Sequence, residues 1–577
     1  MYKGSGSGPL IWKGLEALTI EMSVRLRLSS FSVNIRDRAD LSCALFSENG
    51  DTIAQPTHVG QPAHLGPGFQ LTVKALLSRI PKWDKGDIVI TNDPYLGSLH
   101  LPDITLISPV FFEEEIIAFV GNRCHHSDIG GHLPGSMGSG ATELIQEGFK
   151  IPPVKLRVGG EVDTSILSII QANTRTPADR TSDLSAQIAA NDTGIERLLA
   201  LISKYGLEEV KQASQSYINY CERLMRTAIT QLPGGTYYGE DVLDDDGIRD
   251  ERLKIAATIK IHGDSLTIDY SGTDSQAEGS VNLSRSMALA GSFFTVKAVT
   301  DPDSPTNAGS FKPVELILPP GTIVCPNFPA PVAGGNATVQ RLVDVLLRAF
   351  AQAVPDRIPA ASTGAMNDTT LGGVKEAPSG GLISWAFYET IAGGHGARPT
   401  KDGVDGIHTY LTNTQNTPIE TLERIFPFMI LSYELIPDSC GAGRFRGGFG
   451  VRRVYKMNTP VEFGIAGERM KSQPWGRLGG RSGRSSNYYT IVNGQESTVQ
   501  FSKAHGRLPT GGCLVIETAG GGGIGDPHTR DIEACFQDWL DERISLETLQ
   551  DKFGISIVNG QPYRGTTTVH SPPGEDR

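Results

Sequence analysis

Seven histidine and aspartate side chains fall between residues 93 and 132: Asp93, His100, Asp103, His125, His126, Asp128 and His132. The chain has 12 histidines in all, and four of them lie in this span. Imidazole and carboxylate together form a mixed N/O ligand set that suits a divalent first-row metal such as Zn, Mn or Fe without any thiolate. A polar cluster with a purely structural role is the competing reading, because histidine and aspartate are common in loops and a single His-x-x-Asp pair is a weak signal. What joins these residues is the pattern between them. The apolar runs 104–110 and 116–120 read as two strands, with Glu113, Glu114 and Glu115 at the turn. Folding that hairpin brings His100 and Asp103, before the first strand, to His125, after the second. Cys124, beside the histidines, reads as a buried neighbour rather than a nucleophile.

The elements that would hold this hairpin follow from hydrophobic spacing. Residues 11–29 carry Leu15, Leu18, Met22 and Leu26 at helical intervals. Residues 41–46 and 52–54 read as strands around Glu48-Asn49-Gly50-Asp51. Asp40 precedes the first of these, where a carboxylate either enters a site or caps a turn. His58 and His64 bracket a Gly/Pro-rich loop, and helices are expected at 69–77, 184–202 and 207–230. Pro233-Gly234-Gly235 marks a boundary. Beyond it, 255–261 and 265–270 alternate as a hairpin, and 288–299 and 338–353 read as helices. Residues 388–418 are dense in hydroxyls, amides and carboxylates. Such a block lines a cavity or forms a solvated loop, and the cavity is the favoured reading, with His395, His408 and Asn413 as substrate-binding candidates. In the stretch 441–455, Arg444, Arg446, Arg452 and Arg453 are expected to ion-pair within an acidic protein.

The expected fold class is therefore α+β and multi-domain, with β-rich middle and C-terminal regions. Residues 1–232 form an N-terminal unit carrying the ligand motifs, 233–440 a middle unit with the polar block, and 441–577 a β-rich end closing in two short helices. Residues 1–9 read as a flexible tail. The length, 577 residues, exceeds a single core. A net charge of −12 with no basic run argues against a nucleic-acid partner. There is no bilayer-length apolar stretch and no signal-peptide pattern. Seven dispersed cysteines without CxxC spacing fit reduced thiols, so a cytoplasmic location is expected. Neither a Walker A nor a dinucleotide fingerprint occurs, and Gly520 to Pro527 reads as a tight turn.

Asn92-Asp93-Pro94-Tyr95 with His100 and Asp103, followed by His125-His126-Ser127-Asp128-Ile129-Gly130-Gly131, resembles the hydantoinase B/oxoprolinase family. Ser42 to Phe46, Tyr388 to Ile391, Asp405 to Thr409, Asn413 to Pro418, Gly441 to Gly448 and Gly520 to Pro527 extend the match in family order. The resemblance implies a hydantoinase A-type partner of the actin-like ATPase fold, in an α2β2-type assembly. That partner binds ATP and Mg and phosphorylates the substrate carbonyl. The substrates implied are hydantoins, N-methylhydantoins, oxoproline and caprolactam, which are hydrolysed, or acetone and acetophenone, which are carboxylated. It also implies metal ligands at His100, Asp103 and His125. Asp40 is the fourth, ending Asp37-Arg38-Ala39-Asp40 where relatives carry Glu-Arg-Arg-Asp. A metal with an open position lowers the pKa of its bound water, and His126 or Asp128 is placed to take a proton. The expected activity is that of the B-type subunit of an ATP-dependent cyclic amide hydrolase. A ketone carboxylase subunit and a non-catalytic scaffold for the ATPase are the alternatives.

Overall fold

The structure, a computed structural model, describes residues 7–56, 60 and 62–564. Its N-terminal part is an antiparallel seven-stranded sheet. The strand order is Thr52–Ala54, Leu41–Ser47, Glu115–His125, Asp103–Phe112, Ile88–Thr91, Val154–Val158 and Glu161–Val162. The central hairpin is the one the sequence predicts, and it is buried on both faces. Helices Gly8–Ser29 and Pro177–Tyr205 cover one face, and Pro67–Arg79 covers the other with Phe69, Val73 and Leu76 against Phe46, Ile107 and Phe119.

Both covering helices are longer than their apolar spacing suggests. Gly194, an unfavourable residue inside a helix, lies where a methyl group would come within 2.5 Å of the Met22 sulfur. Gly14 makes the reciprocal approach to Leu201. The two helices use glycine to pack closely, which offsets its propensity cost. Gly8 and Pro9, expected in a tail, begin the first helix, with proline at its start where the missing N–H costs nothing. The helix Thr164–Ala172 has no counterpart in the sequence reading.

After helix Leu207–Thr230 a second sheet forms from Gly235–Leu243, Leu253–His262, Ser265–Asp269 and Val314–Ile317, the last pair parallel. Helices Arg285–Thr300 and Gly335–Ala353 pack with it around one large core. The expected boundary near 232 falls at this change of sheet. The expected boundary at 440 does not separate two sheets: Asp368–Glu376 pairs with Val461–Ala466, and Phe428–Leu435 pairs with Val451–Met457. The sequence reading names none of these four strands, and local spacing carries no information on partners so far along the chain.

The glycine-rich stretches have a role other than turns. At Gly394, Gly396, Gly447, Gly448, Gly520 and Gly521 an added methyl group would be driven into a backbone carbonyl of a neighbouring segment. Backbone hydrogen bonds cross between these segments, among them Gly521 N to Gly448 O at 2.9 Å and Ala397 N to Gly522 O at 2.8 Å. This is a core made of backbone, and the absence of Cβ is what allows the chains to approach. The tight turn expected at 520–527 is thus one layer of this packing.

Candidate metal centre

Three neighbouring strands end together at the centre of the N-terminal sheet. Asp103, the first residue of Asp103–Phe112, is directly paired with His125, the last residue of Glu115–His125. Leu41 pairs with Cys124, and His125 N donates to Asp40 O, so Asp40 stands at the end of the next strand. The turn before the hairpin closes through a hydrogen bond from Asp103 N to His100 O, which folds His100 back over Asp103. A left-handed backbone at Ala39 (φ 58°) redirects the chain immediately before Asp40. His64 reaches the same point from the loop ahead of Pro67–Arg79.

The side chains converge closely. His100 Nε2 lies 2.9 Å from His125 Nδ1 and 3.2 Å from Asp103 Oδ2, and His125 Nδ1 lies 3.1 Å from Asp103 Oδ1. His64 Nε2 is 3.4 Å from Asp103 Oδ1 and 3.6 Å from Asp40 Oδ1. All five side chains are buried. Among the described residues His100, Asp103 and His125 form the one group of three or more histidine, cysteine or acidic side chains close enough to share a metal ion. Donors about 2.1 Å from a common ion are separated by roughly 3.0–3.4 Å along the edges of an octahedron or tetrahedron. The observed separations match that spacing, and neutral nitrogen with carboxylate oxygen is the donor chemistry Zn, Mn or Fe requires.

The charge states of Asp103 and His125 suit binding as well. Burial alone would raise the Asp103 carboxyl, but His100 and His64 overcome this and hold it well below the usual carboxylate range. Burial lowers His125, against the pull of Asp103, and so favours the neutral ring that donates a lone pair. At His100 burial opposes protonation, yet Asp103, Asp368 and Asp40 together raise it.

A second layer surrounds this group. The Tyr388 ring stacks on His125 with centroids 4.5 Å apart and planes 25° apart, and its hydroxyl donates to Asp368 Oδ1 at 2.8 Å. Arg38 lies 5.0 Å from the Tyr388 ring centroid and donates to the Tyr388 carbonyl and the Thr390 hydroxyl. Asp368 is fully buried, and desolvation raises its pKa to about 6 despite the Tyr388 hydrogen bond and the field of His100. Glu147 is raised to about 8 by burial, although Oε1 accepts from Ala333 N, just ahead of helix Gly335–Ala353. The space beside His100, His125 and Tyr388 is about 30 Å³, enough for about one water.

The remaining expected site residues lie elsewhere. His126 turns to the helix side, as alternation along a strand requires. Its Nε2 meets Gln187 Oε1 at 2.9 Å, and burial with Arg180 lowers its pKa to about 3. Asp128 accepts from Gly130 N, Gly135 N and Arg175 N and pairs with the Arg175 guanidinium at 2.9 Å, which commits its oxygens to holding the loop. Asp93 caps the turn Pro94–Leu96, and His132 bonds the carbonyls of Gln146 and Ser139. His395 sits among the packed glycines, with Nδ1 on the Gly396 carbonyl. His408, lowered to about 4 by burial and Arg38, meets Asn416. Asn413 donates to Gly60 O and lines a different cavity. Of the polar block, Tyr388, Thr390, Thr412 and Thr414 reach the centre; most of the rest serves packing. His58 lies outside the described residues. Arg446, Arg452 and Arg453 form the expected ion pairs, with Asp405 and Asp538, Glu434 and Glu517, and Glu389 respectively, while Arg444 stacks on Phe445.

His64, Glu147, Asp368 and Tyr388 are among the polar residues around the centre to which the sequence reading gives no role. Only Tyr388 carried a signal, as part of the Tyr388-Glu389-Thr390-Ile391 motif.

With this geometry in place, the chain can be set beside known proteins. The hydantoinase B/oxoprolinase family model matches residues 9–527, and the chain belongs to that family. A Pseudomonas sp. (strain NS671) protein named as a candidate B-type subunit of a D-/L-hydantoinase is 31% identical over 95% of this chain and 94% of its own length. The crystal structure of the ATP-dependent caprolactamase of Pseudomonas jessenii superposes with a TM-score of 0.89 at 26% identity, covering 97% of this chain and 98% of that one. Acetone carboxylase in its nucleotide-free form shares the fold, with a TM-score of 0.88 at 19% identity over 96% of this chain and 81% of that one. Among the described residues no helix is long and apolar enough to cross a membrane.

Proposed function

We propose that this chain is the B-type component of an ATP-dependent cyclic amide hydrolase. In this reading His100, Asp103 and His125 hold a divalent Zn, Mn or Fe ion, with Asp40 and His64 completing the polar wall around it. The observation that carries the reading is the convergence of two imidazoles and a carboxylate at the strand ends of a caprolactamase-like fold. The bound metal would supply water of lowered pKa. Asp103 stays ionised and His125 neutral, the states in which both donate lone pairs. Tyr388 fixes the plane of the His125 ring and links it to Asp368. Asp368, poised to titrate at about 6, is the residue suited to accept a proton near neutral pH. That role was expected of His126 or Asp128, whose hydrogen bonds point elsewhere.

An amide resists water because resonance stabilises its C–N bond. Phosphorylation of the carbonyl oxygen removes that protection and creates a leaving group. With no nucleotide-binding motif in this chain, the phosphorylation falls to a hydantoinase A-type ATPase partner carrying ATP and Mg, in an α2β2-type complex. A ketone carboxylase subunit is the second reading, supported by the shared fold of acetone carboxylase.

The deciding experiment has two parts. Elemental analysis of the wild-type chain should find about one Zn, Mn or Fe per chain, lost in His100→Ala/Asp103→Ala. Wild type with its partner and ATP should open lactam rings without bicarbonate. Metal retained by the double variant would refute the site. Turnover of ketones that depends on bicarbonate, with no ring opening, would move the reading to the carboxylase.

A further inference from the structure

The space beside the metal centre holds about one water, so the body of any organic ligand needs other room. That room lies on the far side of a thin wall. Two stretches of chain, 62–66 and 411–414, separate the centre from a cavity of about 260 Å³. Ala63, His64, Leu411, Thr412 and Thr414 face the centre, whereas Pro62, Leu65, Gly66 and Asn413 face the cavity. The cavity is mainly apolar, walled by Met225, Phe293, Phe294 and Phe311.

Among the described residues it holds one cationic side chain, Lys297 on helix Arg285–Thr300. The ammonium has three N–H donors, and its hydrogen bonds go to a single residue, the Ser304 carbonyl and hydroxyl. No carboxylate among the described residues lies within ion-pair distance of it; Asp301 and Asp303 act on it only through longer-range attraction. Burial lowers the ammonium to about 8, which leaves most of it charged at neutral pH. A partly buried, unpaired cation among aromatic rings is costly unless an anion joins it.

We propose that this cavity binds a small monocarboxylate with a compact apolar body, its carboxylate on Lys297 and its body against Phe293 and Phe311. The site stands whether or not the metal reading does, but its use in turnover rests on that reading. Two sources present this chemistry: a cyclic amide that bears a carboxylate substituent, and an acyclic carboxylic acid of similar size.

The test is calorimetric binding to the purified full chain, using 5-oxoproline and pentanoate as probes and 2-pyrrolidinone and pentanamide as their uncharged counterparts. At least one carboxylate should bind tenfold or more tightly than its uncharged counterpart. That preference should vanish in Lys297→Met and return in Lys297→Arg, and Phe293→Trp, which fills the cavity, should weaken both carboxylates. Preference for 5-oxoproline assigns the site to a cyclic amide, and preference for pentanoate assigns it to an acyclic acid. Binding that ignores the carboxylate, or that survives both Lys297→Met and Phe293→Trp, overturns the proposal. The same titration on His100→Ala/Asp103→Ala separates the two readings, since the cavity should keep its affinity when the metal ligands are gone.

Discussion

Two buried polar clusters in this chain obey opposite rules. One joins Asp241, Arg341, Asp344, Glu468, Arg469 and Lys503 where the middle sheet meets the later strands. Each of its carboxylate oxygens accepts from a guanidinium, an ammonium, a backbone N–H or the Tyr410 hydroxyl. The other is the group of His64, His100, Asp103 and His125. It brings lone-pair donors together with no lysine or arginine among them, and the outer ring nitrogens of its three histidines have no partner among the described residues. The first cluster pairs opposite charges and so locks elements together. The second gathers imidazoles around a buried carboxylate with no fixed cation to lock it, the donor set of the proposed metal site. What distinguishes the two is the partner of the buried carboxylates: lysine and arginine in the first, imidazole alone in the proposed site.

That contrast can be broken most forcefully at Glu468. Glu468→Ala would leave Lys503 buried without a carboxylate and Arg341 with Asp241 alone, a loss of about 3–5 kcal/mol. The expected result is a large fall in Tm or insoluble protein. A variant that melts like wild type would show the network is not structural. The next largest effect runs the other way. His125→Ala should lower ring-opening turnover of the complex by about a thousandfold through loss of metal, while the metal-free chain keeps a Tm close to that of metal-stripped wild type. If instead the variant unfolds while metal content is kept, the two clusters would not differ in kind.

Asp368→Asn retains an oxygen for the Tyr388 hydroxyl. It should cut turnover about ten- to a hundredfold and flatten the acid limb of the rate profile near pH 6. An unaltered acid limb would remove Asp368 from the proton path.

The smallest effect concerns stability and pH. The folded-state pKa of Glu147 is raised to about 8, above its ordinary value of 4.5. Its protonated form is therefore favoured by the fold. The stability this gives is complete below pH 4.5 and is lost as pH rises through 8. Glu147→Gln keeps the acceptor for Ala333 N and cannot ionise, so its Tm should gain on wild type progressively between pH 4.5 and 8. A constant difference across that window would mean Glu147 titrates normally.

How much of this the sequence disclosed depended on distance along the chain. Asp103 and His125 could be paired because one hairpin fixes their register, and His100 followed from its position three residues ahead. Helix Gly335–Ala353 was readable from Leu342, Val345, Leu346 and Phe350. His64, Glu147, Asp368 and Tyr388 arrive from separate elements, and no local spacing connects them to the hairpin. His126 and Asp128 were over-read for the same reason: their types suit catalysis, but strand alternation and the Arg175 pair send them elsewhere. The glycines were misread as turns because a missing Cβ serves tight packing and sharp reversal equally, and only the neighbouring carbonyls decide between them.

The glycine-packed layers also leave a signature in how the molecule tolerates change. Any substitution of a glycine by another residue inserts at least a β-carbon, and at Gly396 or Gly521 that atom has nowhere to go. A saturation library of the chain should therefore show a band of intolerance here as deep as that at the candidate metal centre, set by backbone packing rather than by side-chain chemistry. Gene variants found in that band would read as lost activity while every catalytic residue stayed intact.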